Sequence, residues 1–93
     1  MIVNFADSFT RRLFDGEYVR GFPSNLCPVA WRKLDMVNRA HTLEDLRLPP
    51  GNRLEALKGD LRGFHSIRIN DQWRIVFHWR NGNAEAVRVT DYH

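Results

Sequence analysis

Residues 73–79, Trp-Arg-Ile-Val-Phe-His-Trp, constrain the fold more than any other stretch. They alternate with period two, placing Trp73, Ile75, Phe77 and Trp79 on one face and Arg74, Val76 and His78 on the other, as a half-buried strand requires. Asn81-Gly82-Asn83 follows directly, and Asn-Gly between apolar runs is a strong hairpin signal because a tight primed turn needs positive φ at its centre. The run from Ala84 to Thr90 then alternates Val87 and Val89 with Arg88 and Thr90. Upstream, Phe64 to Asn70 sets Ile67 and Ile69 against Ser66, Arg68 and Asn70, with Asn70-Asp71-Gln72 as the turn into the next strand. These patterns predict a three-stranded antiparallel meander whose polar face carries Arg68, Arg74, Arg88 and Tyr92. Strict parity leaves Asp91 and His93 on the apolar side, but a strand end is free to turn.

The first half reads as helical. Ile2 to Phe5 predicts a short opening strand, and Ala6-Asp7-Ser8 supplies an N-cap for a helix that carries Phe9, Leu13 and Phe14 and ends at Gly16. After a polar link from Glu17 to Pro23, a second helix starts at Ser24 or Asn25 and runs to about Ala40. Its apolar stripe is Leu26, Ala30, Leu34 and Val37, and it tolerates Pro28 in its first turn. Thr42 to Leu46 can add one more turn before Pro49-Pro50-Gly51-Asn52 breaks the chain. The expected fold class is α+β: an N-terminal strand, two helices, then the meander as one sheet with the helices packed on one face. Ninety-three residues support one such domain, spanning 1–93, and no second core.

Charge is distributed unevenly. Residues 1–46 carry six Lys or Arg against six Asp or Glu, whereas residues 47–93 carry eight against five, so the net +3 lies wholly in the half that holds the strands. Seven of those eight cations are Arg, whose planar fork suits phosphate, although a solvated basic face without a partner is the plainer reading of charge alone. The single cysteine, Cys27, excludes an internal disulfide and a cysteine-built zinc site, and it is most simply a packing residue. His41, His65, His78 and His93 show no metal-ligand spacing. The early apolar stretch Met1-Ile2-Val3 is too short for a leader, and no run approaches the about 18 apolar residues of a membrane span. The expectation is a reduced, cytoplasmic protein that engages no membrane.

The chain closes with Asp91-Tyr92-His93: a carboxylate, a phenol and an imidazole at the end of a strand beside arginine-bearing neighbours. Breaking an RNA phosphodiester through its own 2′-hydroxyl needs a base for the hydroxyl proton, an acid for the leaving oxygen, and cations for the charge growing on phosphorus. Asp91 or His93 can act as base and His93 as acid. Arg68, Arg74 and Lys58 form a cationic clamp, and Tyr92 can stack on a base. The scheme calls for no metal or other cofactor.

Pro49-Pro50-Gly51-Asn52-Arg53-Leu54-Glu55-Ala56-Leu57-Lys58-Gly59, then His65-Ser66-Ile67-Arg68-Ile69-Asn70-Asp71-Gln72-Trp73-Arg74-Ile75, and finally Asp91-Tyr92-His93 together resemble the HigB branch of the RelE-like toxins. The resemblance covers nearly the whole chain. It implies a compact RelE-like α+β fold and the toxin of a type II toxin-antitoxin pair, a ribosome-dependent endoribonuclease that cuts mRNA in the ribosomal A site and inhibits translation. It implies a HigA-like helix-turn-helix antitoxin as partner, with operator DNA reached only through that antitoxin. The family's functional positions fall on Lys58, Arg74, Asp91, Tyr92 and His93, with Arg68 a phosphate contact. One position departs: where some members carry a histidine three residues before the lysine, this chain has Glu55, so the identity of the base stays open.

Each of these residues also has a plainer role. Trp73 and Trp79 share a face with Ile75 and Phe77 and are expected to pack against helices rather than bases. His65, on the Ile67 face, is expected to be partly buried and hydrogen-bonded. His78 and Arg88 lie on the polar face and are candidates for RNA contact, Arg53 touches either RNA or nothing, and Arg62 and Arg80 flank turns where solvation is the default. The alternative function is a catalytically silent RNA- or protein-binding module in a repressor complex, and Glu55 is the feature that sustains it.

Overall fold

The computed structural model describes residues 1–91; Tyr92 and His93 lie outside the described residues. α1 (Ser8–Phe14) starts where the sequence places it. Asp7 is its N-cap, and the Asp7 carboxylate accepts from Thr10 N at 2.8 Å, satisfying an amide that every helix start leaves unpaired. A 3-10 turn, Ser24–Leu26, leads into α2 (Cys27–Arg39), with Pro28 in the first turn where its missing N–H is harmless. Ala30, Leu34 and Val37 of the expected stripe are fully buried. The extra turn is also present, a 3-10 stretch at Leu43–Arg47 with a capping box between Thr42 and Asp45. The amides of Thr42 and His41 donate to the Asp45 carboxylate and hold its pKa below the ordinary carboxylate value.

β1 (Glu55–Ala56), β2 (Phe64–Arg68), β3 (Trp73–Arg80) and β4 (Asn83–Asp91) form one antiparallel sheet in chain order. The last three are the predicted meander. β1 adds a strand the pattern did not announce, because two residues carry no readable period. The opening residues differ from the expected strand: Ile2 and Phe5 make isolated parallel bridges to Ala84 and Val87. They nevertheless cover the outer edge of β4. Ala84 N donates to Met1 O at 2.9 Å, Ala86 N to Asn4 Oδ1 at 2.6 Å, Val87 N to Asn4 O at 3.2 Å and Val89 N to Thr10 Oγ1 at 2.8 Å. The strand that ends in Asp91 is therefore paired on both edges as far as Val89, which removes the fraying a C-terminal edge strand would suffer.

Both helices lie against the face that presents Ile67, Ile75, Phe77, Val87 and Val89, and these residues join Leu13, Leu34 and Val37 in one core. A bulge between Val76 and His78 puts Ala86 at φ 51° and brings Ala84 and Val87 both inward, three residues apart. Trp73 stacks on Phe9 with ring centroids 6.4 Å apart and meets Phe22 edge-on at 4.9 Å; Trp79 meets Phe77 edge-on at 6.2 Å. Trp73 and Trp79 are packing residues, as expected. His65 is partly buried, as expected, and stacks on Phe77 on the core face with the Gly63 backbone as a hydrogen-bonding neighbour; the difference is that its buried Nδ1 has no hydrogen-bond partner among the described residues. Burial lowers its pKa below the ordinary histidine value. Among the described residues no helix is long and apolar enough to cross a membrane.

Candidate functional site

The register of the sheet sorts the polar face into three cross-strand rows, since directly opposed residues of antiparallel strands share a face. Phe64, His78 and Glu85 form the first row; Glu55, Ser66, Val76 and Arg88 the second; Arg68, Arg74 and Thr90 the third. Arg68 and Arg74 thus stand directly opposite each other, an arrangement of like charges that is unfavourable in a ladder unless an anion is shared. In this structure Asp71, in the turn between β2 and β3, pairs with Arg68. Arg53, Arg68, Asn70, Asp71 and Arg74 line a shallow cavity of about 180 Å³ at this end of the sheet.

Arg74 is held by built contacts. Its residue is only 7% exposed, its Nε donates to Ser66 Oγ at 2.9 Å, and its Nη2 donates to the Arg53 carbonyl at 2.9 Å. Ser66 is itself 1% exposed and sits diagonally across β2 from Arg74. Arg53 offers its carbonyl because it caps the 3-10 turn Pro50–Asn52 in the left-handed region, at φ 47° and ψ 55°. A planar guanidinium fixed at two of its nitrogens keeps a defined orientation, which is what a donor aimed at phosphate needs.

The other expected residues are distributed as follows. Asp91 ends β4 opposite Trp73, with parity opposite to Arg74's, and its carboxylate accepts from Gln72 Nε2 at 2.9 Å in the β2–β3 turn. It lies at the same end of the sheet as the arginine pair, and Tyr92 and His93, which continue from it, fall outside the described residues. Glu55 is opposite Ser66, so its carboxylate stem stands one row from the arginine pair, beside the hydroxyl that orients Arg74. Lys58 is exposed and begins the 3-10 turn Gly59–Leu61.

His78 lies four residues along β3 from Arg74, roughly 13 Å at a strand's rise. Its ring packs on Phe64 at 5.1 Å and faces Glu85 at 3.7 Å. The structure does not bring Lys58 or His78 into the cavity beside Arg74. Arg88 is exposed over a second, apolar hollow of about 180 Å³ walled by Leu61, Phe64, Val76 and Ala86.

Sequence reasoning placed Ser66 on the polar face without giving it a role, and missed Asn70 and Asp71 as lining residues. The signal for Ser66 was its register: one residue before Ile67 in a hairpin whose turn is fixed, it must fall diagonal to Arg74. Among the described residues no three His, Cys, Asp or Glu side chains are grouped so as to hold a metal ion.

Residues 3–93 match the family model described as the RelE-like toxin of type II toxin-antitoxin system HigB. The chain is 40% identical over 85 residues to Toxin HigB-1 of Vibrio cholerae serotype O1, covering 90% of each. It is 30% identical over 93 residues to Endoribonuclease HigB of Proteus vulgaris, covering 100% of each. With an α+β fold of this topology and an arginine pair clamped on its polar face, the chain belongs to the HigB family of RelE-like toxins, and as the toxin of a type II pair it has an antitoxin partner.

Proposed function

We propose that this toxin is an endoribonuclease that cleaves mRNA on the ribosome, in the A site, and so halts translation. The observation that carries the reading is the opposed pair Arg68 and Arg74, with Arg74 fixed by Ser66 and the Arg53 carbonyl, at the sheet end where β4 finishes at Asp91. The full-length similarity to a protein named Endoribonuclease HigB supports it.

In the proposed reaction the 2′-oxygen attacks the adjacent phosphorus and the bond from phosphorus to the 5′-oxygen breaks, leaving a 2′,3′-cyclic phosphate and a 5′-hydroxyl end. Asp91 or His93 takes the 2′-hydroxyl proton, and His93 supplies the proton that the departing 5′-oxygen requires. Arg74 and Arg68 neutralise the phosphoryl oxygens, with Asp71 yielding Arg68 to the incoming phosphate. Tyr92 stacks on a base beside the cut. Lys58, Arg53, Arg88 and His78 guide the flanking RNA along the polar face, and Glu55 tunes the Ser66–Arg74 contact or takes part in proton transfer. No metal is needed for these steps. The antitoxin is of the HigA helix-turn-helix kind, and operator DNA is met only through it.

Mapping 5′ ends on mRNA in a purified translation system tests the reading. Cuts that require translating ribosomes and disappear with His93→Ala are the expected result. Absence of cuts in every arm would overturn it and favour a silent binding module, with Glu55 as the place to look next.

A further inference from the structure

Lys33 and Asn52 are buried polar residues, bonded to each other, that the proposed chemistry leaves unused. Lys33 lies in α2, 8% exposed, and Asn52 is fully buried. Lys33 Nζ donates to Asn52 Oδ1, while Asn52 Nδ2 donates to the carbonyls of Leu46 at 3.2 Å and Leu48 at 3.3 Å. One asparagine side chain therefore fastens the segment 46–52 to itself and to a helix 19 residues earlier in the chain. Its backbone continues the link. Asn52 N donates to Pro49 O at 2.9 Å and Arg53 N to Pro50 O at 3.1 Å, so the residue after Asn52 is delivered in its left-handed conformation with its carbonyl on Arg74.

A buried ammonium against a single neutral amide is a poor way to stabilise a fold. Removing a lysine charge from water is expensive, and an apolar residue of similar volume usually serves as well or better. Burial, and then the neighbouring Arg32 charge, holds the Lys33 pKa below the ordinary lysine value, in keeping with that penalty. What a cation does here that methionine cannot is donate to the amide oxygen: the Leu46 and Leu48 carbonyls already hold the nitrogen, and Lys33 ties the oxygen, and with it the loop, to α2.

We propose that Lys33 and Asn52, which do not line the arginine cavity, are positioning residues: they set the place of the Arg53 carbonyl and through it the orientation of the Arg74 guanidinium at the scissile phosphate. This rests on the endoribonuclease reading for its catalytic consequence, though not for the placement of Arg74 itself.

The test compares full-length native protein with Lys33→Met, Arg74→Lys and the double variant. It reads single-turnover cleavage on programmed ribosomes over a range of ribosome concentration, thermal unfolding, and the ¹⁵N–¹H resonance of Arg74 Nε, assigned by its loss in Arg74→Lys. Misplacing a catalytic group by about 1 Å can lower a rate on the order of 100-fold. For Lys33→Met we expect a rate constant at saturation on the order of 10- to 100-fold lower, half-saturation little changed, and unfolding within about 4 °C of native. The Arg74 resonance should shift, and the double variant should be no slower than Arg74→Lys alone, since both changes act on one group. Native cleavage by Lys33→Met would overturn the proposal. So would rate and melting temperature falling together with the Arg74 resonance unmoved, which is the mark of a purely structural lysine. If Lys33→Met proves too unstable to compare, Asn52→Asp, which keeps an acceptor for Lys33 but loses both donors, is held to the same criteria. Should the native protein itself fail to cleave, the functional reading falls, and the Arg74 resonance alone then decides whether Lys33 places that side chain.

Discussion

Ser66→Ala is the sharpest single perturbation of the site, because it deletes one oxygen and alters nothing on the exposed surface. Ser66 is 1% exposed and its Oγ accepts from Arg74 Nε at 2.9 Å; Arg74, at 7% exposure, has little access to water that could replace that acceptor. A hydrogen bond from a charged donor contributes about 1.5 to 3 kcal/mol, and a buried donor left without its acceptor loses most of that. Alanine fills nearly the same volume, so no cavity term of consequence is added. The expected loss of stability is therefore about 2 kcal/mol, which for a domain of this size lowers the melting temperature by roughly 10 °C. The contact from Arg74 Nη2 to the Arg53 carbonyl survives, so the guanidinium is loosened rather than released, and cleavage should slow on the order of tenfold through the rate constant more than through RNA binding. Urea unfolding followed by the fluorescence of Trp73 and Trp79, alongside single-turnover cleavage, measures both. A variant within about 0.5 kcal/mol of native that also cleaves at the native rate would show that the Ser66 hydroxyl neither stabilises nor orients Arg74.

Two further predictions concern the flanks of the site. Gly63 has φ +94°, and a Cβ there would come within 2.8 Å of His78 Nε2, so Gly63→Ala should destabilise by about 2 to 4 kcal/mol in urea titration. In a His78→Ala background the steric part should vanish and only the backbone part persist; an undiminished loss would refute the contact. His65 is held neutral by burial, its pKa lowered from 6.5, so as pH falls through 6.5 the unfolded chain gains a proton that the folded chain resists. Stability should be unaffected by this group above that pH and should decline below it until the lower folded-state pKa is passed. His65→Gln should remove that part of the pH dependence, and superimposable pH profiles of native and variant would rule the effect out.

What could be read in advance, and what could not, divides by the range of the interactions involved. Alternation along Trp73–Trp79 and the Asn81-Gly82 turn are local signals, and they were enough to place Arg68 and Arg74 on one face. The bulge at Ala86 has no such signal, since an alanine at φ 51° carries neither the glycine nor the asparagine that usually announces positive φ. Local pattern likewise could not show why the pair is oriented. Arg74 owes its direction to Ser66, eight residues away, and to a carbonyl 21 residues away; that carbonyl follows an asparagine bonded to a helix of the other half. The two halves that differ so plainly in charge are therefore joined beside the site: the basic half supplies the guanidinium and, with Asn52, the loop that aims it, and the neutral half, through Lys33, holds that loop. A domain with so few elements has no separate scaffold to rigidify its chemistry. The segment 46–53, which looked like a Pro/Gly break between helices and sheet, takes that part, with the Asn52 side chain turned inward onto the Leu46 and Leu48 carbonyls where an ordinary surface loop would expose it.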